Sequence, residues 1–304
     1  MRTQDLEYFI HLTKTQSFTA TAEALGISQP AVSLMIKRLE DELDTTLFIR
    51  KRGNNILKLT GTGKIFQKQA EKILQLVEST KKEINDKENN SIQLGVPPII
   101  GATLLPLFLP NLIKFSEKIQ IIEKGGSKAI LNLLRKGEIN TALVGFSQPI
   151  EEEAYPDITT TLLIKDQFQI WVGENHPLAK KTTVSLKDLR EQSFVILGED
   201  YVQHQVFLNW ANTHNIDQTN IFSTNEVATA KSFVKANVGA TMLIEMATNT
   251  NEGLVKLNLE NISLPYFYIY LMVRTSSKED SLQNIVSNEI KEVARKHFSH
   301  KSFH

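Results

Sequence analysis

A chain of 304 residues with 41% hydrophobic content is too long for one small module and has enough apolar material for two or three cores. Its 34 Lys/Arg balance its 34 Asp/Glu, and the bias is local: ten Lys/Arg against seven Asp/Glu in residues 1–68, twenty against twenty-two in residues 91–304. The absence of cysteine excludes disulfides, thiolate zinc sites and thiol redox chemistry.

The amino terminus MRTQDLEYFI lacks the apolar run of a secretory signal, and no stretch reads as the ~20 apolar residues of a membrane span, so a cytoplasmic protein is expected. Phe18, Ala22 and Leu25 recur at helical spacing, and Gly26 ends that run. Ser28 is an N-cap and Pro30 fits a first turn, so a second helix starts at Gln29. Val32, Ile36, Leu39 and Leu43 form its apolar stripe, while Gln29, Ser33 and Lys37 repeat on another face. That face suits a DNA groove. Gln pairs bidentately with adenine, the Ala31 methyl meets a thymine methyl, and Ser33 and Lys37 suit base edges or phosphates.

Leu47-Phe48-Ile49 and Ile56-Leu57-Lys58-Leu59 predict two short strands around Arg50, Lys51 and Arg52, a basic wing suited to phosphates or a minor groove. A basic turn alone is ordinarily just a solvated loop. The order and spacing of helix, turn, helix and wing are what point to double-stranded DNA.

Thr60 is placed to cap a long helix from Gly61 to about Lys87, whose Phe66, Ala70, Ile73, Val77, Thr80 and Ile84 alternate spacings of four and three. This is a heptad seam through which two copies can pair, although a lone amphipathic helix has the same pattern. Asp86-Lys87-Glu88-Asn89-Asn90-Ser91 is all polar and reads as a hinge. Thereafter strands at Ile92–Val96, Ile119–Glu123, Thr141–Gly145, Phe168–Val172, Phe194–Leu197, Ile221–Ser223, Thr241–Glu245 and Tyr266–Val273 alternate with helical stretches and end in a helix over Leu282–Phe298. An α/β domain with a largely parallel sheet is predicted.

Phe9, Ser17-Phe18, Ala22, Leu25, Ser28 to Ser33, Ile36, Leu39-Glu40, Leu43, Leu47-Phe48, Arg50, Leu59-Thr60 and Gly63 together resemble the LysR-type transcriptional regulators. Asp44 departs from that pattern where Gly is usual, and Thr21 where Ala is common. The resemblance implies a winged helix-turn-helix over 1–60, a dimerisation helix and hinge over 61–90, and a two-lobed, periplasmic-binding-protein-like effector domain over 91–304. Lobe 1 would take about 91–162 and 268–304, and lobe 2 about 163–267. It implies DNA contacts from Thr19, Ser28, Gln29, Pro30, Ala31, Ser33, Lys37, Arg50, Lys51 and Arg52, and a homodimer or homotetramer.

Ligands in such domains sit beyond the carboxyl ends of strands, often at helix N-termini. The corresponding positions are Pro98, Ile100, Gly101 and Thr103, then Gly126 and Ser127, then Gly145 and Phe146, and from lobe 2 Gly198, Thr224 and Asn225. Thr103 and Ser127 read equally well as plain helix caps. Pro97 to Gly101 resembles a branch of the family that includes regulators of organic-acid metabolism, which implies a small carboxylate effector; Asn140 and the lack of Pro in 239–246 depart from the common pattern.

An enzyme fares poorly: no Gly-rich phosphate loop, G-x-S-x-G elbow or H-E-x-x-H is present. The triple Glu at 151–153 and His297, His300 and His304 on the polar tail read as solvated. No catalytic residue, metal or cofactor is expected, and no membrane partner.

Overall fold

Phe9 shows how the first core is built, since its ring, fully buried on the first helix, meets Phe48 at 5.3 Å and Phe66 edge-on at 4.8 Å. The computed structural model describes residues 1–50, 57–89, 91–151, 154–248, 252–275 and 281–298. They form two compact units, Met1–Ile84 and Asn85–His304.

The first unit contains α1 (Thr3–Thr15), α2 (Phe18–Leu25), α3 (Gln29–Glu42), the strands β1 (Phe48–Arg50) and β2 (Leu57–Leu59), and most of α4 (Gly61–Asn89). Ser17 and Ser28 cap α2 and α3 by accepting from the Ala20 and Ala31 N–H groups. Gly26 ends α2 at φ 66°, a left-handed turn open to Gly at little cost. Asp44 is also left-handed at φ 47°, which accounts for the Gly usual there in the family it resembles. Thr21 is buried and donates to the Ser17 carbonyl at 2.8 Å, so its hydroxyl is accommodated where Ala is common.

Buried Asp5 accepts from the Arg2 N–H and pairs with Arg38, clamping α1 to α3. Glu40 accepts from the Leu47 N–H at 2.7 Å and the Phe48 N–H at 3.2 Å, clamping α3 to β1. β1 and β2 pair antiparallel, as the wing reading requires. Thr60 caps α4 by accepting from the Gly63 N–H at 2.8 Å, and a Cβ on Gly63 would overlap the Leu47 carbonyl. α4 runs on through Asn89, so most of the polar segment expected as a hinge is helical.

The second unit continues with β3 (Ile92–Val96), α5 (Pro98–Leu112), β4 (Ile119–Glu123), α6 (Gly126–Arg135), β5 (Thr141–Phe146), β6 (Ile158–Gly173), α7 (Leu186–Arg190), β7 (Phe194–Leu197), α8 (Val202–His214), β8 (Ile221–Thr224), α9 (Val227–Lys235), β9 (Thr241–Ile244), β10 (Leu254–Lys256), β11 (Tyr266–Arg274) and α10 (Leu282–Phe298). The expectation of a largely parallel sheet needs correction. β3 is parallel to β4 and β5, and β7 to β8, but β11 runs antiparallel to both β5 and β6.

The reason is the length of β6. Over 16 residues it pairs first with β11 and then, from Phe168, with β9 and β10. It therefore carries the chain from lobe 1 to lobe 2, and β11 carries it back, so the two crossings must be antiparallel.

Contrary to the expectation that no stretch has the composition of a membrane span, α5 and the turn after it, Pro98–Lys118, are long and apolar enough in 21 residues to match one by length and composition. In the fold, Ile100, Leu104, Leu105, Phe108 and Leu112 pack into the core shared with α10. Pro106 and Pro110 each remove a helix donor there.

Candidate nucleic-acid interface and ligand cleft

The burial of Val32, Met35, Ile36 and Leu39 fixes which side of α3 faces out. Gln29, Pro30, Ala31 and Lys37 are exposed, Ser33 is half-buried, and the Gln29 amide donates to Ser33 Oγ at 2.8 Å. Thr19 and Ser28 are also exposed, at the start of α2 and the cap of α3. Leu43, read as the end of the apolar stripe, is 39% exposed because the helix ends at Glu42.

The structure adds Leu34, which is 70% exposed on α3. A large apolar side chain held in water at this position has the chemistry to meet thymine methyls. Sequence reasoning missed it because Leu34 lies off the apolar stripe and carries no polar group that marks a groove-facing position. Arg50 begins the wing, but its side chain, and Lys51 and Arg52 entirely, lie outside the described residues.

The heptad seam needs correction at Phe66 and Ala70, while Val77, also expected in it, is half-buried. Ala70 is fully buried and Phe66 packs with Phe9 and Phe48 in the first unit's own core. The outward apolar stripe of α4 is instead Ile65, Ile73, Leu76 and Ile84, exposed by 65%, 39%, 65% and 55%, with Thr80 in line.

In the second unit, three helix N-termini meet at a cavity of about 30 Å³: Ile99 and Ile100 from α5, Gly126 and Ser127 from α6, and Tyr201 and Val202 from α8. Phe168 of β6 and Phe267 of β11, their rings 5.5 Å apart and edge to face, form its wall where the two strands cross. Of the residues expected to face a ligand, Ile100, Gly126 and Ser127 do line this cavity. Ser127 Oγ accepts from the Gly145 N–H at 2.9 Å, leaving its own proton to donate.

The others are committed elsewhere. Thr103 donates to the Ile99 carbonyl at 2.8 Å, and the Gly101 N–H donates to the Pro97 carbonyl at 2.8 Å, both inside their own helix. Phe267 fills the space over Gly145, and Phe146 meets Tyr270 edge to face at 5.7 Å in a separate cluster. Thr224 Oγ1 accepts from the Glu226 N–H at 3.2 Å, while the Asn225 amide covers Gly198. Pro98 opens the first turn of α5.

Tyr201, which the sequence reading missed, donates its hydroxyl to the Asn225 carbonyl at 2.8 Å. Burial, with the charges of Glu226 and Asp200, pushes its phenol above the usual range and keeps it a donor. Buried Gln203 accepts from the Leu197 N–H at 2.9 Å and donates to the Met242 carbonyl, so it holds lobe 2 together and is not free for a ligand. Gly126 has φ 77°, and a Cβ there would overlap the Asp200 carbonyl. α6 of lobe 1 and the start of α8 in lobe 2 therefore touch, and the space left beside them has room for a water or two.

A helix-turn-helix with a paired-strand wing, followed by a long helix and two α/β lobes that close on helix N-termini, is the architecture of a ligand-responsive transcriptional regulator. The family model for the bacterial regulatory helix-turn-helix protein of the lysR family matches residues 3–64, and that for the LysR substrate binding domain matches residues 85–295. The chain belongs to the LysR family of bacterial transcriptional regulators.

Among its relatives, the malolactic fermentation system transcriptional activator of Lactococcus lactis is 29% identical, with 93% of this chain and 96% of that protein covered. The transcriptional dual regulator GltC of Bacillus subtilis is 29% identical over 86% of this chain and 87% of that protein. Full-length CbnR in complex with its target DNA shares the fold at TM-score 0.59 and 17% identity, covering 97% of this chain and 99% of that one.

Proposed function

We propose that this regulator binds an inverted-repeat operator as a homodimer or a pair of dimers, with a small carboxylate in the lobe cleft shifting the arrangement of its subunits. The observation that carries the DNA half is α3, which buries one face completely and presents Gln29, Ala31 and Lys37 on the other. Gln29, Ala31 and Ser33 are assigned to bases, with Leu34 beside them. Lys37, Thr19, Ser28 and the wing cations Arg50, Lys51 and Arg52 are assigned to the backbone. Ile65, Ile73, Leu76 and Ile84 are the surface through which α4 pairs with a second copy.

Two features favour an anion in the cleft: three helix N-termini converge there, and Ser127 keeps a hydroxyl proton to donate. No Lys or Arg is among the described residues that line it, so a singly charged, partly apolar acid fits better than a polyanion. The relative named for malolactic fermentation supports an organic acid. At about 30 Å³ the cavity is far below the ~300 Å³ of an ordinary ligand site, so entry requires the lobes to part. Parting the lobes is the differential contact by which ligand shifts the population. Since regulators act on chromosomal DNA, the protein is assigned to the cytoplasm, with no catalytic role, metal or cofactor.

Selection of fragmented genomic DNA by the purified full-length protein, followed by sequencing, tests this reading. Enrichment of a few intergenic inverted repeats is expected, and retention of no sequence above background would overturn it.

A further inference from the structure

Away from the cleft, a groove of about 380 Å³ opens on lobe 1 between α10 and the strands β6 and β11. Its walls are Thr159 and Thr161 of β6, Arg274 of β11, and Ser287, Asn288 and Lys291 of α10. The threonines share one face of β6 by the two-residue strand period, and Ser287 and Lys291 share one face of α10 by the four-residue helix spacing. These groups are mainly donors: an ammonium, a guanidinium, an amide and hydroxyls. No Asp or Glu is among the described residues that line the groove.

Two details distinguish it from an ordinary wet surface. Ser287 is only 3% exposed, yet its hydroxyl has no hydrogen-bond partner, although mid-helix serines can bond back to the preceding turn. Glu289 on the same helix pairs with Lys114 at 3.5 Å, whereas Lys291 makes no ion pair among the described residues. Arg274 is positioned by donating to the Leu134 carbonyl at 3.3 Å.

We propose that this groove is a second ligand site, distinct from the lobe cleft, which takes the oxyanion group of a small organic molecule. Lys291 and Arg274 supply charge, Ser287 and Asn288 supply directed donors, and the threonine hydroxyls complete the shell. Its volume falls within the ~300–1,000 Å³ range of small-molecule sites.

Calorimetric titration of the full-length protein with inorganic phosphate and with acetate, at constant ionic strength set by chloride, tests the proposal. Saturable binding of at least one probe is expected, weakened about tenfold by Lys291→Gln and by Asn288→Asp, and unchanged by Lys296→Gln, an exposed cation on the same helix outside the groove. A preference for phosphate would identify a phosphate ester as the ligand class, and a preference for acetate a carboxylate. No saturable binding of either probe would overturn the site. So would binding that ignores Lys291→Gln, because the anion would then sit elsewhere, or equal weakening by Lys296→Gln, because the effect would then be bulk charge.

Discussion

At the scale of single residues, Gly126 and its neighbour Gly125 are alike in sequence and opposite in constraint. Gly125 has φ −59° and open space where a Cβ would stand, while Gly126 is left-handed and pressed against the Asp200 carbonyl. Gly126→Ala should therefore destabilise the closed lobes by about 1–3 kcal/mol, from backbone strain and the lost contact, with Gly125→Ala nearly neutral. Thermal denaturation of the two variants checks this, and equal melting temperatures would contradict the closed contact between the lobes. The sequence marked Gly126 and Ser127 as candidate ligand positions because they start a helix after a strand. It could not mark Phe168 and Phe267, which are distant in the chain and meet only because β6 and β11 cross side by side.

At the scale of elements, α4 shows both what periodicity reveals and where it stops. The alternating spacing identified a long amphipathic helix, and the structure has one from Gly61 to Asn89. Two apolar surfaces share that helix, one for its own core and one facing outward, and a one-dimensional pattern merges them. Phe66 and Ala70 belong to the inner surface; Ile65 and Leu76 belong to the outer. Leu76→Glu should thus shift the protein from dimer toward monomer in sedimentation velocity at micromolar concentration, with helical content unchanged. An unaltered mass would show that α4 does not form the pairing surface. The wing strands, α2, α3 and most of the strand and helix order of the lobes were legible for a simpler reason, that each is a local pattern ended by Gly, Ser or Pro; β10 and the first ten residues of β6 were not. The antiparallel crossing was not legible, since strand direction depends on pairings nearly 100 residues apart, such as Gln167 with Tyr266.

At the scale of the whole molecule, neutral net charge places the work of DNA recognition on a few local groups, and this can be read in solution. Phosphate contacts raise affinity for every duplex and weaken with salt, whereas base contacts separate one duplex from another. In the proposed mechanism the same division joins the two units: α3 would supply sequence preference, and an effector that parts the lobes would alter how two copies present α3 to half-sites. The central claim is that the outward face of α3 reads sequence. It is tested most directly by measuring, across a salt series, the affinities of the native protein, Gln29→Ala and Lys37→Ala for a selected operator and for a scrambled duplex. Gln29→Ala should lose about 1–3 kcal/mol on the operator and little on the scrambled duplex, while Lys37→Ala should weaken both alike and reduce the salt slope by about one. An unchanged ratio of operator to scrambled affinity in Gln29→Ala would contradict the account.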